Sequence, residues 1–390
     1  MIEEIAFIFL GMAIGTITGL VPGIHANTIA FIALILPIEK TLALALLIIS
    51  MSITHSFVDA IPNILFGAAS EENFLTIMPG QQMLLEGKGI EAIQLTIFGG
   101  ITTTLFAIIL APFFYSFAIN YGEQLPIFIP ALLVLVLAIM VFSEGKKIEA
   151  IIVIFLSGAL GIIALDSGIK NSIIALVIGF FAIPSIIQSI FSKIKIPEQK
   201  KTNPKHKISK GAITGIASGL TAVFPGIGPG QAAFMIKKIF PKMKREDYLI
   251  ITGGMNTGNL IFSILMLFAL EKTRTGMAVA LNGMFELNFG IFLLFGITAI
   301  TSAGFSTIIT EKTAFWAIKL FKIINYQKLS MVIFAIVVAV VFFSSGVLGL
   351  LVCACAAGIS FFGIGAGTKR SNAMAFLIIP TLLFYLGMRI

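Results

Sequence analysis

Residues 211–230 read GAITGIASGLTAVFPGIGPG, an apolar run with evenly spaced glycines that breaks at Pro225-Gly226 and restarts at Pro229. Lysines crowd both flanks. Lys193, Lys195, Lys200, Lys201, Lys205, Lys207 and Lys210 precede it, and Lys237, Lys238, Lys242, Lys244 and Arg245 follow it. Basic loops stay on the cytoplasmic side of a membrane, so both ends are expected there. A segment with both ends on one side must cross an even number of times. One crossing takes about 20 residues, and 211–236 is too short for two. The run therefore predicts a re-entrant hairpin: two half-helices meeting at a Pro-Gly turn inside the bilayer. Broken backbone at that depth is tolerated only where protein or a watery cavity surrounds it.

The pattern occurs twice. Gly11, Gly15 and Gly19-Leu20 lead into Val21-Pro22-Gly23-Ile24 as Gly211, Gly215 and Gly219-Leu220 lead into Phe224-Pro225-Gly226-Ile227. The glycines match at an offset of 200 and the Pro-Gly-Ile at 203. Downstream, Ser52, Ser56, Asp59 and Asn63 recur as Thr252, Asn256, Asn259 and Ser263, again 200 apart. Steps of 4, 3 and 4 put each set on one helical face. Two matches at one offset point to an internal duplication. The glycine rows read as close helix packing. By repeat logic 5–37 is the first hairpin.

Composition sets the medium. Of 390 residues 58% are hydrophobic and 11% charged, with mean hydropathy +1.06, against roughly a quarter charged in a soluble domain. Further spans are expected at 41–65, 92–119, 126–143, 149–165 and 172–191, then at 248–270, 286–309, 329–344, 346–363 and 372–388. Five per half is odd, so the second half enters upside down. The expected fold class is an all-α polytopic membrane protein of two inverted-topology repeats, each one Pro-Gly hairpin plus about five transmembrane helices. Residues 1–192 form the first repeat, 193–210 a basic cytoplasmic linker and 211–390 the second repeat. In this layout 193–210 and 237–245 are cytoplasmic, and only Lys40, Lys170, Lys272, Arg274 and Arg389 of the 26 Lys and Arg lie outside. The net charge of +8 is thus an orientation signal and not a nucleic-acid footprint. Segment 312–325, with Phe315, Trp316 and Phe321 among lysines, is expected to be a cytoplasmic interfacial helix. Segment 66–91 is expected to fold back at a span end. Cys353 and Cys355 sit one residue apart in an apolar run and point to different helix faces, which suits neither a disulfide nor a metal site.

A helix broken inside a bilayer exposes N–H groups, and the helix dipole adds positive partial charge to them. Two inverted hairpins would aim two such ends at one midplane site and hold an anion without a Lys or Arg. The substrate candidates are Pro22, Gly23, Ile24, His25, Asn27 and Thr28 at the first tip, Pro225, Gly226, Ile227, Gly228, Pro229, Gly230 and Gln231 at the second, and Asn256. Polar stripes in apolar spans face a protein interior. His55 and Asp59, four apart, can meet. His55 titrates near neutral pH, and Asp59 can hold a coupling cation or orient the ring. A hydrogen-bonded structural pair is the alternative. Ser52, Ser56, Asn63, Thr252, Asn259 and Ser263 complete the ion-coupling candidates, as hydrogen-bonding groups or Na⁺ ligands. No catalytic residue, metal site or cofactor is expected beyond a coupling Na⁺ or H⁺.

Gly219–Gly230, GLTAVFPGIGPG, resembles the signature of the large membrane subunit (TctA type) of tripartite tricarboxylate transporters. So does Gly67-Ala68-Ala69-Ser70-Glu71-Glu72-Asn73 leading to Met78-Pro79-Gly80 and Gly87-Lys88-Gly89. The matching tip positions are Pro22, Gly23, Ile24, Pro225, Gly226, Ile227, Gly228 and Pro229. His25-Ala26-Asn27 stand where the family usually has Gly-Pro after the Ile. The resemblance implies ion-driven uptake of a carboxylate, with a small membrane subunit and an extracytoplasmic binding protein as partners.

The leading expectation is a cation-coupled secondary transporter of a small organic anion, a di- or tricarboxylate. A translocase of an anionic lipid carrier such as polyprenyl phosphate is the alternative, since the same dipoles would hold its phosphate. An enzyme is disfavoured: His25, His55 and His206 are the three histidines, and no His-Glu-x-x-His or Gly-x-Ser-x-Gly occurs.

Overall fold

The computed structural model describes residues 2–21, 30, 39–67, 77–122, 124–191, 197–200, 208–223, 229–272, 275–284, 287–321 and 326–388. Every regular element among them is a helix. This follows from the medium, because in lipid a backbone must satisfy its own polar groups.

The first half begins with α1, Ile2–Leu20. α2, Leu42–Val58, runs through a turn at Asp59 into the short α3, Ala60–Phe66. α4, Ile77–Leu85, is followed by the long α5, Gly89–Tyr121. Then come α6, Ile129–Phe142, and α7, Lys147–Asp166. α8, Ser172–Val177, passes through a π segment, Ile178–Ala182, into α9, Ile183–Phe191. The second half has α10, Ile208–Val223, α11, Pro229–Ile239, and α12, Arg245–Leu270. α13, Gly276–Asn282, and α14, Phe289–Phe321, follow. α15, Tyr326–Ala366, leads through a 3-10 turn, Arg370–Met374, to α16, Ala375–Tyr385.

Among the described residues seven helical stretches are long and apolar enough to cross a membrane: Ile2–Leu20, Leu42–Leu65, Gly89–Tyr121, Lys147–Asp166, Arg245–Leu270, Phe289–Lys319 and Ser330–Ala366. Ile129–Phe142 and Ser172–Gln188 are shorter apolar helices. α15 is two helices in one. Gly346 has φ 68° and ψ −166°, outside any helix, and divides the stretch where spans 329–344 and 346–363 were expected to part. One expectation needs correcting. Residues 312–321 do not form a separate interfacial helix but prolong α14 without a break, because Thr313, Ala314 and Ala317 leave the ladder no reason to stop.

The π segment has a visible cause. Pro184 has no N–H to give the carbonyl of Phe180, and the Ser360 hydroxyl of α15 donates to it instead at 2.8 Å. α2 is the central helix. The most apolar part of the 42–65 stretch is buried throughout, with α1, α12 and α14 packed around it. α12 holds the matching place in the second half, between α5 and α10. α7 and α15 turn large apolar groups outward, Phe155 and Phe343 among them, a surface that suits lipid.

Candidate functional site

α2 and α3 carry the first polar stripe. Ser52, His55, Ser56, Asp59 and Asn63 are each at most 4% exposed. The glycines of α1 make this possible. A Cβ on Gly11 would lie 2.4 Å from Leu47 O, and one on Gly15 would lie 2.5 Å from Met51 O. With α1 so close, Thr18 Oγ1 reaches Nδ1 of His55 at 3.0 Å. Asp59 sits where α2 hands over to α3. Its N–H donates to His55 O at 2.9 Å, and Pro62 withdraws the helix bond that the carbonyl of Val58 would otherwise accept. The stripe therefore runs through a weakened point of the helix.

The second stripe lies on α12 and is treated differently. The Thr252 hydroxyl donates to Tyr248 O and Leu249 O, both at 3.1 Å, and Ser263 donates to Asn259 O at 2.6 Å. These bonds stay within one helix. Asn256 is 0% exposed, and neither its amide nitrogen nor its oxygen has a partner among the described residues. Leaving such a group unpaired costs about 1–3 kcal/mol. Its neighbour Thr257 shares a hydrogen bond with Ser56 of α2 at 3.2 Å. The two stripes thus meet at Ser56 and Thr257, beside Asn256.

A third row escaped the sequence reading. Thr298, Ser302, Ser306 and Thr310 of α14 lie four apart and are all buried. Ser306 donates to Thr54 of α2 at 2.9 Å, while Ser302 and Thr310 have no partner for their hydroxyl oxygens among the described residues. The signal was present as a period of four hydroxyls in an apolar span. It has no counterpart at 98, 102, 106 and 110 except Thr102, so a search for repeats passes over it.

Pro22, Gly23, Ile24, His25, Asn27, Thr28, Pro225, Gly226, Ile227 and Gly228 lie outside the described residues. Pro229 opens α11, where its missing N–H would have been unpaired in any case. Gly230 and Gln231 follow in the same first turn, with Pro229 and Gly230 buried. Among the described residues no three His, Cys, Asp or Glu side chains gather as a metal site.

Charged groups join the halves at the helix ends. Arg245 at the start of α12 grips Glu86 of the first half in a two-pronged pair, while Lys210 meets Asp247 at 3.4 Å within the second half. Hydrogen bonds from the Arg245 guanidinium hold the Glu86 carboxyl below the usual carboxylate range. Residues 197–200 are laid onto the turn between α4 and α5. Gly89 N–H donates to Gln199 Oε1 at 2.6 Å, Gln199 Nε2 to Leu84 O at 3.0 Å, and Lys200 N–H to Gly87 O at 2.8 Å.

Rows of buried hydroxyl, amide and ionisable groups inside helices too apolar for water define a multi-pass membrane protein with a polar interior, the build of a transport component. The chain matches the Tripartite tricarboxylate transporter TctA family over residues 5–375, and it belongs to that family. The family is one of transporter components and not of enzymes. The chain is also 28% identical, over 400 aligned positions covering 98% of it and 99% of the relative, to an uncharacterized protein of Methanocaldococcus jannaschii. No solved structure matches it.

Proposed function

We propose that the protein is a secondary transporter of a small organic anion, a di- or tricarboxylate, coupled to H⁺ or Na⁺, with the substrate held at the membrane midplane between two hairpin tips. One observation carries the reading: the halves exchange helices reciprocally. α5 lies along α10 and α12 of the second half. α14, 200 residues later and equally 33 residues long, lies along α2 and touches α1. α7 packs on α16, and α15 in return packs on α8 and α9. The corners repeat the exchange. Glu144 accepts from Lys369 N–H at 3.1 Å and from Asn372 Nδ2 at 2.9 Å. At the equivalent corner Ser345 donates to Asn171 O at 3.1 Å.

Reciprocal exchange is what a two-fold relation between halves produces, and an odd number of crossings per half turns that axis into the membrane plane. The first corner carries Lys146, Lys147, Lys369 and Arg370 and the second only Lys170, a bias that fits opposite membrane faces under the positive-inside rule. The second hairpin is supported by length and packing. α10 and α11, with 16 and 11 residues, reach about 24 and 16 Å at 1.5 Å per residue, short of a core about 30 Å thick. Ala232, Ala233 and Ile236 of α11 share an apolar cluster with Ile213 and Ala217 of α10. α1 has 19 residues and is the longer first leg of the other hairpin.

In this reading the tip N–H groups hold the anion, and Asn256 offers its amide beside the contact between stripes. His55 carries the proton, or Asp59 and the hydroxyls carry the cation. The basic loops 193–210 and 237–245 face the cytoplasm. The partners are the substrate, the bilayer, a small membrane subunit and an extracytoplasmic binding protein. Uptake of radiolabelled citrate into proteoliposomes tests the reading. Pro225→Ala and Gly226→Val should each abolish uptake while keeping the wild-type size-exclusion profile. Full uptake by both variants would overturn it. Binding of polyprenyl phosphate in place of citrate would move the assignment to a lipid-carrier translocase.

A further inference from the structure

Arg370 opens the 3-10 turn between α15 and α16, and its side chain is half-buried. Nη1 donates to Ser185 Oγ and Nη2 to Gln188 Oε1, both at 2.7 Å. Both partners are neutral and lie on α9, in the other half of the chain. Three other basic groups at the helix ends have carboxylates: Lys369 has Glu144 at 3.6 Å, Lys210 has Asp247, and Arg245 has Glu86 and Glu246, whereas Lys237 and Lys238 donate to Met243 O and Ser143 Oγ. Among the described residues Arg370 has none. The guanidinium is partly withdrawn from water with no counter-charge among the described residues, a position that a bound anion would complete. Two of its five N–H donors are used, which leaves three, Nε–H among them, for a further acceptor such as a carboxylate.

Its position links it to the polar interior. Ser185 is also the neighbour of Gly67: a Cβ on Gly67 would lie 3.2 Å from Ser185 Cβ and 2.4 Å from Gln81 Nε2. Gly67 takes φ 68° to end α3, four residues beyond Asn63 of the first stripe. Arg370 and Ser185 thus stand at the foot of the buried row that runs through Asn63, Asp59 and His55. Lys369, beside Arg370, adds positive charge at the same end.

We propose that Arg370 binds the carboxylate of the transported anion where it enters or leaves this row, with Ser185 and Gln188 holding the guanidinium in place. The assignment rests on the transport reading for its substrate class, and it adds a cationic station that the hairpin tips lack. Phenylglyoxal, which adds to accessible guanidinium groups, gives a direct test on the purified wild-type protein. Modification of Arg370, read by peptide mass spectrometry, should slow at least fivefold when citrate or succinate is present, while Arg245 is unaffected. In proteoliposomes Arg370→Gln should raise the KM for citrate at least tenfold, and Arg370→Lys should recover part of that loss, having the charge without the fork. A merely structural arginine would lower the yield of folded protein and leave KM unchanged.

The outcomes separate the two readings. Citrate uptake by the wild type, with no protection of Arg370 and an unchanged KM in Arg370→Gln, overturns the Arg370 assignment and leaves the transporter standing. Protection by citrate in a protein that moves no carboxylate keeps the anion site and removes the transporter. Protection by inorganic phosphate alone overturns the carboxylate assignment. The protection measurement needs no variant, so it decides even if Arg370→Gln fails to fold.

Discussion

Gly11, Gly15 and Gly19 stand 200 residues from Gly211, Gly215 and Gly219, yet the two rows do opposite work. The first row meets both backbone and side chains of its own half: Leu47 O, Met51 O and His55 O lie 2.4, 2.5 and 3.1 Å from where its Cβ atoms would be, with Ser50 Oγ at 2.1 Å from the first and Val58 Cβ at 2.8 Å from the last. The second meets side chains of the other half, with Thr102 Oγ1, Phe106 Cβ and the Phe114 ring 2.3, 2.8 and 2.3 Å away. One set of glycines lets two helices touch. The other makes room for side chains of α5, a hydroxyl at Gly211 and a ring at Gly219. The contrast extends to the faces opposite. Thr102, Phe106 and Leu110 of α5 fill the space over α10, while of their counterparts on α14 Ser306 gives its hydroxyl to Thr54 of α2, and Ser302 and Thr310 have buried hydroxyls with no partner among the described residues. In lipid, helix contacts are stabilised by van der Waals packing and not by the hydrophobic effect, so a ring in a glycine notch closes an interface and a row of hydroxyls leaves it polar. The α1–α2–α14 side holds the ionisable groups, and the α5–α10 side is packed shut.

The largest expected effect comes from filling the two rows. In Gly15→Ala the new methyl meets a carbonyl and Thr54 Cβ, 2.5 and 2.9 Å away, and neither can turn aside. Overpacking of this kind costs about 1–3 kcal/mol or more, and α1 should separate from α2, with loss of the monodisperse peak on size-exclusion. In Gly219→Ala the obstacle is the tip of a ring, so a smaller drop in melting temperature is expected, recovered by Phe114→Leu. Equal losses that Phe114→Leu does not repair would erase the distinction between the rows.

Next in size is Asn256. Its amide is buried without a partner among the described residues, whereas Ser263, seven residues on, is satisfied by its own helix at 2.6 Å. Replacing an unpaired buried amide with an apolar group of similar volume removes a penalty of about 1–3 kcal/mol. Asn256→Leu should therefore melt several degrees higher than the wild type and fail to transport, while Ser263→Ala melts near the wild type. A lower melting temperature in Asn256→Leu would show that the amide is a structural member of α12, and the second stripe would then hold no site.

Much of this was written in the chain. Uncharged runs predicted α5 at 92–119 and α12 at 248–270, and the helices span Gly89–Tyr121 and Arg245–Leu270. The added turns carry Glu91 and Glu246, charged groups that hydropathy rejects but a helix N-terminus accepts. The spacing of Gly11, Gly15 and Gly19 foretold close packing, but no spacing tells which helix lies opposite. That depends on residues far away, and Phe114 rather than any α12 side chain receives Gly219. The buried stripes were legible because polar groups stand out in apolar spans. The row Thr298, Ser302, Ser306 and Thr310 was overlooked because duplication drew attention to matched positions, and Phe98, Phe106 and Leu110 do not match it. Arg370 reads in sequence as one more basic loop residue. Only the fold shows that Ser185 and Gln188 receive it, with no carboxylate among the described residues.

The smallest effect is expected at the ion pair that ties α12 to the first half outside the membrane. Arg245 donates to Glu86 in the turn before α5, and this lowers the Glu86 carboxyl from its ordinary value. In the unfolded chain Glu86 returns to about 4.3, so in acid the unfolded form binds the proton first. The stabilisation is therefore whole above about pH 5 and is lost as the pH falls through the lowered folded value. Both side chains are partly exposed, with relative areas of 30% and 46%, so solvent and salt screen the pair. The melting-temperature difference between wild type and Glu86→Gln should be small and level from about pH 8 to 6, shrink below about pH 4 and shrink at neutral pH in about 1 M salt. The first stripe offers no such dependence on salt, because its groups are buried. A Glu86→Gln difference that persists unchanged in acid would mean that residue 86 acts through packing and not through its charge, as the crossing of Gly99 with Gly253 and Gly254 does. At that crossing a Cβ on Gly99 would come within 1.9 Å of Ile250 O, and its closeness is independent of pH.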